Sequence, residues 1–96
     1  MRRSLPQTCA HVWYTGRVQG VGFRATAEEA ARRHKVTGWV CNLRDGRVEL
    51  RAQGAEPQLV RFLEDLRTGP MGRFIAEVCV EWSESAESCK HFEIRY

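Results

Sequence analysis

The sequence predicts an α+β fold, a two-layer sandwich in which an antiparallel sheet carries two helices on one face. Three observations lead there. Strand-like and helix-like runs follow one another in the order βαββαβ, with one more short strand-like run at the end. Each helix-like run is apolar along a single stripe and needs one cover, and one sheet face can cover both. Asp45-Gly46, between the second and third strand-like runs, is a hairpin signal that makes those strands antiparallel neighbours. Right-handed crossovers then leave few windings of the chain.

The elements follow in order. Cys9 to Thr15 is rich in β-branched and aromatic residues and suits a central strand. Phe23 to about Lys35 carries helix formers, with Phe23, Ala27, Ala30 and Ala31 on one stripe. Val36 to Leu43 is the second strand, and Val48, Leu50 and Ala52 alternate through the third. A type I′ turn at Asp45-Gly46 joins them in this reading. Gly54-Ala55-Glu56-Pro57 opens the second helix, whose Leu59, Phe62, Leu63 and Leu66 form a core-facing stripe. Gly69-Pro70-Met71-Gly72 stops it. Phe74 to Trp82 alternates Val78, Val80 and Trp82 against Glu77, Cys79 and Glu81, as a half-buried fourth strand does. Ser83 to Lys90 reads as a polar loop, and Phe92 to Tyr96 as a short edge strand. The arrangement is ferredoxin-like. Residues 1–7 read as a flexible arm and residues 8–96 as one domain, with no internal repeat or linker.

Composition narrows the function classes. At 96 residues the chain can bury about 60–70% of its unfolded surface in one core. A net charge of +3 suits an acidic ligand but is too small to imply nucleic acid. No apolar run is long enough to span a membrane, and the Arg2-Arg3 pair has no apolar segment behind it. Cys9, Cys41, Cys79 and Cys89 form no CxxC pattern, and His11, His34 and His91 fall in different elements. No metal site is expected. Cys9, Cys41 and Cys79 read as reduced, half-buried strand residues, which points to the cytoplasm. Nothing signals an oligomer, and a monomer is expected.

The chemistry concentrates in Gly16-Arg17-Val18-Gln19-Gly20-Val21-Gly22-Phe23-Arg24. A strand, a glycine-rich loop and a helix start in succession make a cradle for an anion, because backbone N–H groups can turn toward one point. The spacing is neither GxxxxGK[ST] nor GxGxxG. Arg24 falls in the first helical turn, where the macrodipole disfavours a cation by about 0.3–1 kcal/mol, and a bound anion reverses that sign. The plain alternative is a glycine-rich turn with two solvated arginines.

Together with the later segment Gly38-Trp39-Val40-Cys41-Asn42-Leu43-Arg44-Asp45-Gly46-Arg47-Val48-Glu49, this loop resembles the acylphosphatases. The loop matches the family pattern GxVQGVxFR and the later segment GWVxNxxDGxVE at every fixed position. The likeness runs from about Ala10 to the FEIRY ending. Departures are Cys41, where a basic residue is common, the variable pair Leu43 and Arg44, and the N-terminal arm. The resemblance implies hydrolysis of acyl phosphates to a carboxylate and inorganic phosphate, with no metal or cofactor. It implies that Arg24 binds the phosphoryl group with backbone N–H groups of Arg17, Val18, Gln19, Gly20, Val21, Gly22 and Phe23, and that Asn42 orients the attacking water.

Each assignment has an ordinary counterpart. An asparagine before a hairpin is commonplace, although asparagine is depleted within strands. Arg17 reads equally as ligand contact or exposed cation. Trp13, Trp39 and Trp82 read as sheet residues rather than substrate platforms. Two other function classes share the fold. An RNA-recognition module needs aromatic residues on the third strand, where Arg47-Val48-Glu49-Leu50-Arg51 has none. A non-catalytic anion-binding or interaction domain is the remaining alternative, and turnover of an acyl phosphate separates it from an enzyme.

Overall fold

A computed structural model describes residues 7–85 and 89–96. In chain order the elements are β1 (Gln7–Gly16), α1 (Phe23–His34), β2 (Thr37–Asn42), β3 (Val48–Gly54), α2 (Glu56–Thr68), a 3-10 turn (Pro70–Phe74), β4 (Ile75–Ser85) and β5 (Phe92–Arg95). The sheet order is β4-β1-β3-β2-β5. β1 pairs antiparallel with β3 and β4, and β2 pairs antiparallel with β3. The final strand lies at the sheet edge as expected, but it runs parallel to β2, so the sheet is mixed. The direction follows from the path. β4 runs opposite to β2, so a chain that re-enters the sheet from the end where β4 leaves it must run with β2.

Strand alternation sends Ala10, Val12 and Tyr14 of β1 and Val48, Leu50 and Ala52 of β3 to one face. These join Phe23, Ala27, Ala30 and Ala31 of α1, and Leu59, Phe62 and Leu66 of α2, in a single core. Both expected helical stripes are therefore buried on the same sheet face, with Leu63 partly so. Tyr14 packs on Phe23 at 4.8 Å between ring centroids, and Phe62 meets Phe92 edge-on at 5.9 Å. The helices are also tied at their surface, where His34 Nε2 lies 2.5 Å from Asp65 Oδ2 and holds that carboxyl below the usual range.

Several local expectations change. The β2–β3 turn is not type I′, because Asp45 lacks the positive φ that type requires and only Gly46 (φ 98°) has it. Leu43 N–H donates to Arg47 O at 2.8 Å and Gly46 N–H to Leu43 O at 3.2 Å, a three-residue loop closed by a left-handed glycine. Asp45 instead accepts from the Arg47 backbone N–H and guanidinium at 3.1 and 2.9 Å. β4 continues through Ser83 and Glu84 to Ser85, where a loop was expected, since β1 starts early enough to pair Gln7 with Ser85. Gln7 thus belongs to the sheet, while the rest of the expected arm and positions 86–88 of the expected loop lie outside the described residues. Val78 and Trp82 alternate as expected yet remain 40% and 49% exposed, because α2 packs mainly over β1 and β3 and covers the edge strand only in part. Cys79 is exposed on that strand rather than half-buried, and Cys9 is fully buried; all four cysteines are free thiols.

Gly38 shows why β2 runs as it does. Its φ is 141°, and a Cβ built there would lie 1.8 Å from the carbonyl oxygen of Arg51 on β3. Both the dihedral and the contact exclude a side chain. Gly38→Ala is expected to cost about 3 kcal/mol or more, which for a domain of this size lowers Tm by more than about 12 °C. Thermal unfolding checks this, and a Tm within about 4 °C of the parent would show that the β2–β3 spacing can relax.

Candidate active site

The site is built where β1, β2 and β5 end and α1 begins. β1 stops at Gly16, and Arg17 N–H donates to Phe74 O at 2.9 Å, which pins the start of the loop to the 3-10 turn. Val18 is buried in the core, so the loop leaves the sheet around an apolar anchor. Gly20 (φ 78°) and Gly22 (φ 86°) then turn the backbone in the left-handed region. A Cβ at either would meet nothing within 4 Å, so the dihedral and not space is what calls for glycine there. Gly22 is the N-cap of α1 and supplies no side-chain cap. The first helical bond runs from Thr26 N–H to Gly22 O at 3.0 Å.

Among the described residues, no backbone N–H from Val18 to Ala25 donates to a backbone acceptor. These donors belong to a loop and first helical turn that border a hollow of about 170 Å³, lined by Val18, Gly20, Gly22, Phe23, Arg24, Ala25, Asn42, Ile94 and Tyr96. The first turn of α1 holds no acidic residue, and none lines the hollow. Helix dipole and Arg24 therefore act in the same direction. The arrangement can bind a small anion.

Arg24 and Asn42 come from elements far apart in sequence and meet at this hollow. Phe23 is buried on Tyr14, which sets the helix rotation and leaves the next side chain at the rim. The Arg24 guanidinium lies over the Tyr96 ring, 4.8 Å from its centroid. Asn42 ends β2, and alternation gives it the face of Gly38 and Val40, the one that carries α1. No hydrogen bond joins its amide to another described residue.

Not every expected residue lines the hollow. Arg17 is exposed and lines a separate open depression with Arg73 and Phe74, and its N–H is taken by Phe74 O, so the run of free donors starts at Val18. Val21 packs against the core. The Gln19 side chain turns away, donating from Nε2 to Leu43 O at 2.7 Å and Arg47 O at 2.9 Å. Ala25, Ile94 and Tyr96 were not expected at the site. Ala25 follows Arg24 in the first turn of α1, whereas Ile94 and Tyr96 depend on the parallel register that sets Ile94 opposite Val40 and Arg95 opposite Cys41, so that one step further brings Tyr96 level with Asn42. Local pattern identified the final strand but carries no signal for that register.

The family model for acylphosphatase matches residues 10–94. An acylphosphatase of Gloeobacter violaceus is 45% identical over 85 residues, covering 88% of this chain and 90% of that protein. One from Bacillus velezensis is 44% identical, with coverage of 90% and 96%. The crystal structure of acylphosphatase from Bacillus subtilis superposes with a TM-score of 0.87 at 38% identity, covering 93% of this chain and 99% of that one. Similarity of this extent, along nearly the full length of proteins of the same size, shows that the chain belongs to the acylphosphatase family.

Proposed function

We propose that this hydrolase cleaves acyl phosphates by holding the phosphoryl group in the loop hollow and directing a water at phosphorus from Asn42. The observation that carries the reading is the meeting of Arg24, the free loop N–H groups and the Asn42 amide around one hollow without an acidic residue. A guanidinium offers a planar fork to two phosphoryl oxygens, and the loop N–H groups offer fixed dipoles to the charge that develops on them. The Tyr96 ring offers its face to the Arg24 guanidinium, 4.8 Å from the ring centroid.

The chemistry asks for little beyond this. Water oxygen attacks phosphorus in line, the bond from phosphorus to the acyl oxygen breaks, and the carboxylate leaves with the electron pair. A carboxylate is a good leaving group, so no general acid is needed. The lining contains no Asp, Glu or His to serve as base. The water proton passes to a phosphoryl oxygen and leaves with inorganic phosphate. Positioning and charge stabilisation supply the catalysis. Arg17, on the far side of the loop start, acts as an exposed cation in this scheme.

Among the described residues, no three His, Cys, Asp or Glu side chains gather to hold a metal ion. Benzoyl phosphate is expected to be hydrolysed at an unchanged rate in excess EDTA, with inorganic phosphate a competitive inhibitor. Loss of turnover in the chelator, restored by a divalent ion, would overturn the scheme. Phosphate binding without turnover would favour the non-catalytic alternative.

A further inference from the structure

We infer that Gln19 is a positioning residue that sets the distance between the bound phosphoryl group and the water held by Asn42, an inference that rests on the function proposed above. The loop and the β2–β3 turn are separate pieces of chain, and each carries one half of the site. Among the described residues, the only hydrogen bonds joining residues 17–22 to residues 43–47 are those from Gln19 Nε2 to Leu43 O (2.7 Å) and Arg47 O (2.9 Å). Leu43 follows Asn42 in the chain, and Arg47 precedes Val48, the residue paired with Asn42 across the strands. The two carbonyls therefore bracket the end of β2 from which Asn42 projects.

The amide suits this place for a specific reason. It is a neutral head with two N–H donors on one nitrogen, so it can satisfy two carbonyls at once without bringing a charge beside the phosphoryl site. Its own backbone lies between buried Val18 and hollow-lining Gly20. A shift of either end of this link changes the separation of phosphorus and water. Such a misplacement of about 1 Å can cost about 10² in rate.

The test is a double-mutant cycle on the full chain, using Gln19→Met, Gln19→Glu and Asn42→Ala, alone and combined. Methionine keeps the length and removes the donors, whereas glutamate faces two carbonyls with acceptors only. For each variant, kcat and KM for benzoyl phosphate, the inhibition constant for phosphate, and Tm are measured on one preparation. Gln19→Met is expected to lower kcat by about 10–10² while the phosphate inhibition constant changes only a few-fold, and Gln19→Glu by at least as much. In the Asn42→Ala background neither is expected to lower kcat further, because the group they position is gone. Losses that multiply would overturn the inference, showing that Gln19 acts independently of Asn42. So would wild-type kcat in Gln19→Met, or a phosphate constant that rises as kcat falls, which would make Gln19 part of the anion cradle alone. Wild-type kcat in Asn42→Ala would instead remove the water-orienting reading itself, and this inference with it.

Discussion

Arg24→Lys is expected to lose nearly as much activity as Arg24→Ala, on the order of 10²–10³ in kcat, with a raised KM in both. Arg24 stands in a first helical turn that has no acidic neighbour, over the Tyr96 ring at 4.8 Å, at the rim of the hollow lined by Gly20 and Gly22. A guanidinium held by a ring face still presents its N–H edge, and that edge matches two phosphoryl oxygens at once. Lysine restores the charge but gives a compact ammonium on a flexible stem, with no plane to stack and no fork to set the angle of attack. In the proposed role Arg24 holds the phosphoryl group in ground state and transition state alike, so both kinetic constants should move. Retention of most activity by Arg24→Lys would mean that charge alone suffices and the bidentate argument fails.

Asn42→Ala should separate from Arg24 in its kinetic signature. The amide can donate and accept, so it can fix a water that a phosphoryl oxygen also touches. Loss of one positioned contact of this kind costs on the order of 10²–10³ in kcat, while KM and the phosphate inhibition constant change only a few-fold. Stability should barely move. Asn42 closes β2 through its backbone, and its amide makes no hydrogen bond to another described residue, so truncation breaks no internal contact of that group. A purely structural asparagine predicts the reverse, a lowered Tm with turnover per folded molecule preserved. Measuring kcat, KM and Tm on one Asn42→Ala preparation decides between them.

The residues that were readable in advance share a physical property. Helical stripes such as Phe23, Ala27, Ala30 and Ala31, or Leu59, Phe62 and Leu66, repeat with the helix period and are buried as that period requires. The loop was readable because three close glycines before a helix start mark a backbone that needs special dihedrals. What local pattern misjudged lies at edges. Val78 and Trp82 alternate correctly but stand on an edge strand that α2 covers only in part. Ser83 and Glu84 look like loop residues, yet pairing with β1 holds them in β4, since ladder bonds use backbone groups and ask little of side chains. The turn at Asp45-Gly46 was placed correctly but typed wrongly, because the composition suits both a two-residue loop and a three-residue loop closed by glycine.

By itself the sequence determined the element order, the buried helical faces, the glycine loop with its misplaced-looking cation, and, through two motifs, the family to which the chain belongs. These depend on near neighbours along the chain, on periods of two and 3.6 and on residue types with special backbone freedom. Only the tertiary structure decided that β5 runs parallel to β2 and thereby brings Tyr96 under Arg24, that Arg17 N–H belongs to Phe74, and that the Gln19 amide joins the loop to the β2–β3 turn. Each of these is a contact between segments whose separation along the chain is settled by sheet order and register. Register is chosen by the packing of the whole sheet against both helices, and no single stretch of residues records it.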